Sequence, residues 1–475
     1  MAPPRPRPTV GSMRLNGMDG TFVELEDGDA SAHMHIGALL VFDARADGSV
    51  PSLDDLADHL AGRLQALPLY HRRLAGPATG MRWPEWVEDD HFDVRHHLRR
   101  VGLPAPGGWE ELLEWGGDYF SRRLDRSLPL WDMVLVEGLA DGHWALATKT
   151  HHSLCDGVGA VDVAHLLFDV EPVDVPEVAP EDLAGREDDD AHEAWRPPGF
   201  AIAKASLGAV VHPKRTLNLA AALAELLVRD ELIAAPDLSI NGPIGPFRRL
   251  HSVRLDLAEA KAVKAALGGT VNDVALAAVT GGLRALLLAR GEALPERGVR
   301  AMVPMDIRRD DEHDGRLGNR ISSLFVDLPV AEEDELQRHG LVCAATDQVK
   351  ASHLPEGADA LLALAGLAPP LLHHQVARSL FAKRLFNLTV TNVPGPQQQL
   401  YVLGAPLHTV WPLVPLAAEH AVGVAVVSYA GALTFGIVAD RDSMGDLDVM
   451  VDGMVQTLRV LQATAHGVAH PEVAG

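Results

Sequence analysis

The sequence predicts two halves, each built of α/β or α+β layers of strands and helices. Three observations lead there. Strand-like and helix-like segments interleave in two separate stretches of the chain. A segment at about 170–198, rich in Pro, Glu and Asp and containing Glu187-Asp188-Asp189-Asp190, separates them. The length, 475 residues, also exceeds what one ordinary core organises. The expected organisation is a disordered Pro/Arg-rich tail at 1–11 and a first half at 12–175. An acidic linker and helical connector at 176–245 lead to a second half at 246–475.

In the first half, 134–137 and 144–150 read as strands, with Asp141-Gly142 between them as a hairpin turn, and 158–168 has helical spacing. In the connector, the Ala- and Leu-rich segments 201–211 and 216–235 read as helices. The second half offers extended segments at 251–257 and 299–303, then a helix at 272–289 with Thr270 as candidate cap. Strands at 388–391, 423–428 and 433–438 and a closing helix at 444–463 complete it.

Composition narrows the function classes. With 47% hydrophobic and 22% charged residues, the chain reads as a globular protein. Its most apolar runs, 360–372 and 402–416, are too short or too interrupted to span a bilayer. The start, Met1-Ala2-Pro3-Pro4-Arg5-Pro6-Arg7-Pro8, lacks the apolar core of a signal peptide. Cys155 and Cys343 make no disulfide framework, and together these features predict a cytoplasmic location. A formal net charge of −24 argues against general nucleic-acid binding. It leaves room for a local basic mouth that takes an anionic ligand, or for an apolar patch that meets lipid.

The run that carries chemistry is His151-His152-Ser153-Leu154-Cys155-Asp156-Gly157, between a strand and a helix. Adjacent side chains in an extended stretch point to opposite faces, so the two histidines have different jobs. An imidazole suits proton transfer near neutrality. Asp156 falls where the chain turns into the helix, and Gly157 permits a backbone approach that a Cβ would block. The residues alone leave a plainer reading open. Histidine pairs recur at His96-His97 and His373-His374, Asp156 can serve as a helix cap, and Gly157 can simply fit a turn. No metal is expected at this run, which has no i, i+4 histidine pair and no third ligand. Cys155 reads as a packing residue, because nothing near it in sequence activates a thiol. The run Gly157-Val158-Gly159 lacks the third glycine of a dinucleotide loop.

Further segments place that run in context. They are Asp19-Gly20-Thr21-Phe22-Val23-Glu24-Leu25-Glu26, Met34-His35-Ile36-Gly37, Trp86-Val87-Glu88-Asp89-Asp90 and Leu124-Asp125-Arg126-Ser127, running into Pro129-Leu130-Trp131. Later come Val271-Asn272-Asp273-Val274, Val303-Pro304 with Arg308, Gly318-Asn319, and Thr391-Asn392-Val393-Pro394-Gly395-Pro396. In this order the chain resembles, nearly end to end, the bacterial wax ester synthase / acyl-CoA:diacylglycerol acyltransferase family of the CoA-dependent acyltransferase superfamily. It departs from the usual pattern at Ser153 and Cys155, and Thr391-Asn392 stands where serine-asparagine is commoner.

The resemblance implies two similar chloramphenicol-acetyltransferase-like halves, each a mixed sheet flanked by helices, with a tunnel between them. It implies transfer of a fatty acyl group from acyl-CoA to the hydroxyl of diacylglycerol or a long-chain alcohol, with acyl-CoA as substrate and no cofactor. His152 would be the general base. His151 would position it or pack beside it, Asp156 would brace the loop through Arg308, and Gly157 would leave room for the reacting groups. Asn272-Asp273 and Thr391-Asn392 would shape the acceptor side or donate to the oxyanion, with helix capping and strand support as the plainer roles. A second-half segment would cross to cover the first, with 388–396 as the candidate. Pro129-Leu130-Trp131 is expected to pack, and 361–372 and 402–416 to form core or line an acyl pocket. Substrates this apolar imply peripheral association with a membrane or lipid droplets. Two rival readings remain at this level: a condensation-type enzyme using carrier-bound acyl groups, and a lipid-binding homologue without catalysis.

Overall fold

A computed structural model describes residues 13–15, 17–29, 31–76, 84–155, 157–172, 234–306, 321–351 and 385–469. The first half runs β1 (Met13–Arg14), α1 (Gly17–Gly28), β2 (His35–Phe42), α2 (Leu53–Arg63), β3 (Arg72–Ala75) and β4 (Glu85–Glu88). It continues through β5 (Leu98–Gly102), α3 (Trp109–Phe120), β6 (Trp131–Glu137), β7 (Trp144–His151) and α4 (Gly157–Leu167). The second runs β8 (Arg248–Asp256), α5 (Leu257–Leu267), α6 (Val271–Ala289), β9 (Val299–Asp306), β10 (Ile321–Leu328) and α7 (Glu335–Ala351). Then follow β11 (Leu388–Pro394), β12 (Tyr401–Val402), β13 (Ala405–Leu413), β14 (Val422–Tyr429), β15 (Ala432–Asp440) and α8 (Leu447–Ala469). The expected connector helix at 201–211, most of that at 216–235, and the segment 361–372 lie outside the described residues.

Local chemistry accounts for most of these elements. The expected turn between β6 and β7 is real: Asp141 and Gly142 both adopt positive φ, 59° and 77°. Helix α6 starts where Thr270 predicts, with a reciprocal capping box to Asp273. This helix is long and apolar enough to cross a membrane, but its residues from Asp273 to Leu283 are all buried, as in a core helix packed against α8.

Among the described residues, two six-stranded mixed sheets carry the architecture. The second-half sheet has the order β10-β9-β11-β14-β15-β8, with β11 parallel to both neighbours. The other has the order β12-β13-β2-β7-β6-β5, so two strands from the second half complete the first-half sheet. This corrects the expected crossing at 388–396. That segment is β11, an inner strand of its own sheet, and the chain crosses about ten residues later. The physical reason lies in the edges. Strand β2 would otherwise expose a row of backbone donors and acceptors, and β13 pairs with it from Leu407↔Phe42 to Leu413↔Gly37. A bulge between Leu407 and Thr409 leaves His408 as the extra residue of that ladder.

Alternation along the strands builds the two larger cores among the described residues. Phe42, Leu146 and Trp144 join Trp86, Trp131, Leu56 and Leu60 in a core belonging mainly to the first half. Leu39, Val41, Ala145 and Ala147, on the opposite face, share a core with Leu250, Val253, Val424 and Phe435 of the second half. Segment 402–416 falls among these buried residues, from Val402 and Leu407 in one core to Trp411 and Leu416 in the other. Helix α3 lies between the halves, where a Cβ on Gly117 would sit 2.6 Å from the carbonyl oxygen of Arg248. The crossing strand presses closer still on the far sheet. A Cβ on Gly436 would lie 1.7 Å from the Pro412 oxygen.

That approach makes a sharp stability prediction. Gly436→Ala forces β13 off β15 and lowers unfolding free energy by roughly 1–3 kcal/mol, as read from the midpoint of urea denaturation.

Candidate active site

The histidine pair closes β7. Its register sets His151 opposite His35 and Lys149 opposite Gly37, on the face that Ala147 and Ala145 continue into the shared core. His151 is therefore buried. Its Nδ1 accepts from the backbone N–H of Ser153 at 3.1 Å and lies 2.7 Å from the Ser153 hydroxyl oxygen. With Nδ1 accepting, the ring proton sits on Nε2, which donates to Glu26 Oε2 at 2.8 Å.

His152 has different surroundings. Its backbone N–H is fixed to the Met34 oxygen at 2.8 Å, and its half-buried ring stacks on Phe22 with centroids 4.0 Å apart and planes within 13°. Phe22 and Glu26 stand four residues apart on α1, hence on one helix face. One face of α1 thus touches both histidines, the ring of one and the donor nitrogen of the other. No motif in the sequence assigns a role to Phe22 or Glu26. Their i, i+4 spacing was the available signal.

Glu26 is held in turn by the loop after α3. Arg123 Nε lies 3.5 Å from one carboxylate oxygen and Arg126 Nη2 3.8 Å from the other. Arg123 also donates to the Glu26 and Asp29 carbonyls, and Arg126 to the Asp27 carboxylate at 2.6 Å. Burial by itself would raise the Glu26 carboxyl. The His151 hydrogen bond and the nearby cationic charges outweigh it and hold the group at about 2.

More buried polar groups extend along the same sheet face. His35 Nε2 lies 2.8 Å from the Phe120 oxygen, and burial holds its ring well below the ordinary imidazole value. Lys149 donates to the Tyr119 and Arg122 carbonyls at 3.1 and 2.6 Å. Burial lowers its ammonium to about 8, partly opposed by the attraction of Asp132. These bonds tie β7 to the end of α3, and so help fix the strand that carries the histidines.

Among the other expected residues, Asn272 and Asn392 meet, the Asn392 amide donating to the Asn272 side-chain oxygen at 3.1 Å. This joins the start of α6 to β11, against which α4 also packs. Thr391 precedes Asn392 on β11, opposite Ala425 of β14. Asp273 requires a correction. It is 1% exposed, and its carboxylate accepts from the Thr270 N–H, the Thr270 hydroxyl and the Thr346 hydroxyl at 2.7–2.8 Å. Those bonds engage both oxygens of an acceptor-only group, so it takes the helix-capping role and is unsuited to donate to an oxyanion. Gly157 opens α4, while Asp156 and Arg308 lie outside the described residues, as do His373, His374, Gly318 and Asn319. Leu130 and Trp131 pack in the core, with the Trp131 indole donating to the Tyr70 carbonyl at 2.8 Å. The His97 ring stacks on Trp131 and is buried, which gives His97 a structural role. Cys155 is buried with its sulfur 3.7 Å from the Tyr70 hydroxyl.

The Glu26 carboxylate links site and stability. Its folded value of about 2 lies below its ordinary value of 4.5, so its contribution is complete above about pH 4.5 and is lost as pH falls toward 2. The contribution is on the order of 3 kcal/mol. Glu26→Gln is expected to lower stability at pH 7 and to flatten the acid limb of a stability-against-pH curve measured by denaturant unfolding.

Comparison with known proteins identifies the family. Residues 15–275 match the family model for the wax ester synthase/diacylglycerol acyltransferase catalytic domain, and residues 317–462 that for the WS/DGAT C-terminal domain. The probable diacylglycerol O-acyltransferase tgs1 of Mycobacterium tuberculosis is 32% identical over 460 residues, covering 94% of this chain and 96% of its own. The solved wax ester synthase/diacylglycerol acyltransferase of Marinobacter aquaeolei VT8 superposes with a TM-score of 0.69 at 28% identity, over 96% of this chain and 100% of that one. The first condensation domain of the CDA synthetase shares the fold, with a TM-score of 0.59 at 15% identity over 96% of this chain and 97% of its own. Motif order, sheet architecture and sequence identity together show that the chain belongs to the wax ester synthase/diacylglycerol acyltransferase family.

Proposed function

We propose that the protein transfers a fatty acyl group from acyl-CoA to the hydroxyl of diacylglycerol or of a long-chain alcohol, with His152 as general base. The observation that carries the assignment is the division of labour within the histidine pair. His151 is buried with both ring nitrogens engaged, whereas the half-buried His152 ring is steadied on one face by Phe22. A base must be held firmly and still reach its substrate, and a stacked, half-buried ring suits that role.

In the proposed reaction the acceptor hydroxyl gives its proton to His152 as its oxygen attacks the thioester carbonyl. The tetrahedral oxyanion then collapses, the carbon–sulfur bond breaks, and CoA leaves as a thiolate. The ester forms without an acyl-enzyme, because the thioester already carries a good leaving group and Cys155 is buried in packing. His151 acts through position, fixing the end of β7 by its bonds to Glu26 and Ser153. Asn272, whose side-chain oxygen takes the Asn392 bond, offers its own amide N–H groups as oxyanion donors, and the Thr391 hydroxyl on β11 is the other candidate donor. The brace from Asp156 to Arg308 and the room left by Gly157 remain part of the proposal.

His152→Ala should lower kcat by roughly 10²–10⁴-fold while leaving circular dichroism and melting unchanged. Retention of full activity would remove His152 from the mechanism. The assay is purified protein with labelled palmitoyl-CoA and either hexadecanol or a diacylglycerol, products being separated by class. Wax ester or triacylglycerol identifies the acceptor. Absence of product from any acyl-CoA would favour the binding homologue, and product only from a carrier-bound donor would favour condensation chemistry.

The same substrates call for peripheral association of a cytoplasmic protein with a membrane or lipid droplets. Flotation with phosphatidylcholine vesicles containing diacylglycerol is expected to carry the protein upward. Binding should survive 0.5 M salt if apolar contact dominates, and recovery entirely in the unbound fraction would overturn the proposal.

A further inference from the structure

The crossing strand creates a cluster outside the acyl-transfer site. Asp43 follows β2, His143 immediately precedes β7, and His408 is the extra residue in the bulge of β13. The Nδ1 atoms of His143 and His408 both approach Asp43 Oδ1, at 3.0 and 3.3 Å, and all three ligand atoms lie within 4.8 Å of one another. We propose that Asp43, His143 and His408 form a site for a divalent transition-metal ion, of the zinc class, which clamps the crossing strand to the first-half sheet.

Four features point to a cation. Two imidazoles and a carboxylate form a mixed N/O donor set suited to such ions. Ligand bonds of about 2.0–2.2 Å separate the donors of a tetrahedral ion by roughly 3.3 Å, and both contacts to Asp43 already lie near that distance. His143 Nδ1 is buried and, despite lying 3.0 Å from the Asp43 oxygen, meets no hydrogen-bond geometry there. A metal accepts a lone pair at this position without requiring an N–H vector. Finally, bulges commonly re-aim a side chain, and this one brings His408 to a ring-centroid distance of 4.9 Å from His143.

The scaffold under the donors is firm. The Asp43 backbone N–H donates to the Pro406 carbonyl at 3.0 Å, and the Trp144 indole donates to the Asp43 backbone carbonyl at 3.1 Å. Trp109 lies 5.7 Å from the His143 ring and closes one flank. The three side chains retain 18%, 43% and 36% exposure in the order His143, Asp43, His408, which leaves an entry path and room for water to complete the ion's coordination. Spacings of 100 and 265 residues hide this set from any reading of sequence motifs.

The test uses tag-free full-length protein, stripped with chelator and titrated with Zn²⁺ by calorimetry and with Co²⁺ by visible absorption. One ion per chain is expected, with cobalt ligand-field bands. A rise of roughly 2–5 °C in melting temperature is expected at hundred-fold excess over Kd. Asp43→Asn and His408→Ala should each weaken binding at least ten-fold, with metal-free circular dichroism retained. If His408→Ala disturbs the metal-free fold, the nearly isosteric Asp43→Asn decides. Absence of stoichiometric binding to the wild type, or unaltered affinity in Asp43→Asn, overturns the site. Acyl transfer is measured separately, so its outcome does not bear on this result.

Discussion

The pairing of β13 with β2 is the constraint on which the rest of the structure depends. A strand made late in the chain satisfies the backbone edge of a sheet made early, so neither half is complete by itself. Its side chains then enter both cores, Leu407 on one side and Trp411 and Leu413 on the other. Its backbone lies against Gly436 so closely that the second sheet admits no Cβ there. The two halves consequently share one continuous core.

That shared core has an unusual rim. Along one face of β2 and β7, apolar residues give way to His35, Lys149 and His151, all buried. Buried ionisable groups are tolerated only when paired, and here each has a fixed partner in a carbonyl or the Glu26 carboxylate. Glu26 is the centre of this arrangement because Arg123 and Arg126 also converge on it. It connects α1, the loop after α3 and the end of β7. Three segments far apart in sequence thereby set the position of the chain at His152, whose ring rests on Phe22 of the same α1 face. The acyl-transfer proposal and the metal-clamp proposal use opposite ends of β7, so one strand serves both placement and closure of the sheet.

Much of this was legible in the residues. The turn at Asp141-Gly142 was readable because it needs positive φ, and the start of α6 because a Thr-x-x-Asp capping box is local. Adjacent histidines at a strand end also had to differ, since neighbouring side chains alternate. Other readings failed for a common reason. Segment 388–391 reads as a strand and 402–416 as an apolar run, and nothing within either says which sheet has an open edge. Asp273 read equally well as cap or site residue until Thr346, on another helix, occupied its remaining oxygen.

By itself the sequence determined the alternation of elements, the family, and a histidine run whose two rings must face apart. These follow from φ preferences, periodicity and nearest-neighbour hydrogen bonds, all of which act within a few residues. Tertiary structure alone decided that β13 completes the first sheet, that Glu26 anchors His151, and that Asp43, His143 and His408 converge. Each of these is a contact across 100 or more residues, set by edge pairing and burial of charge, and a linear pattern carries no distance across such a gap.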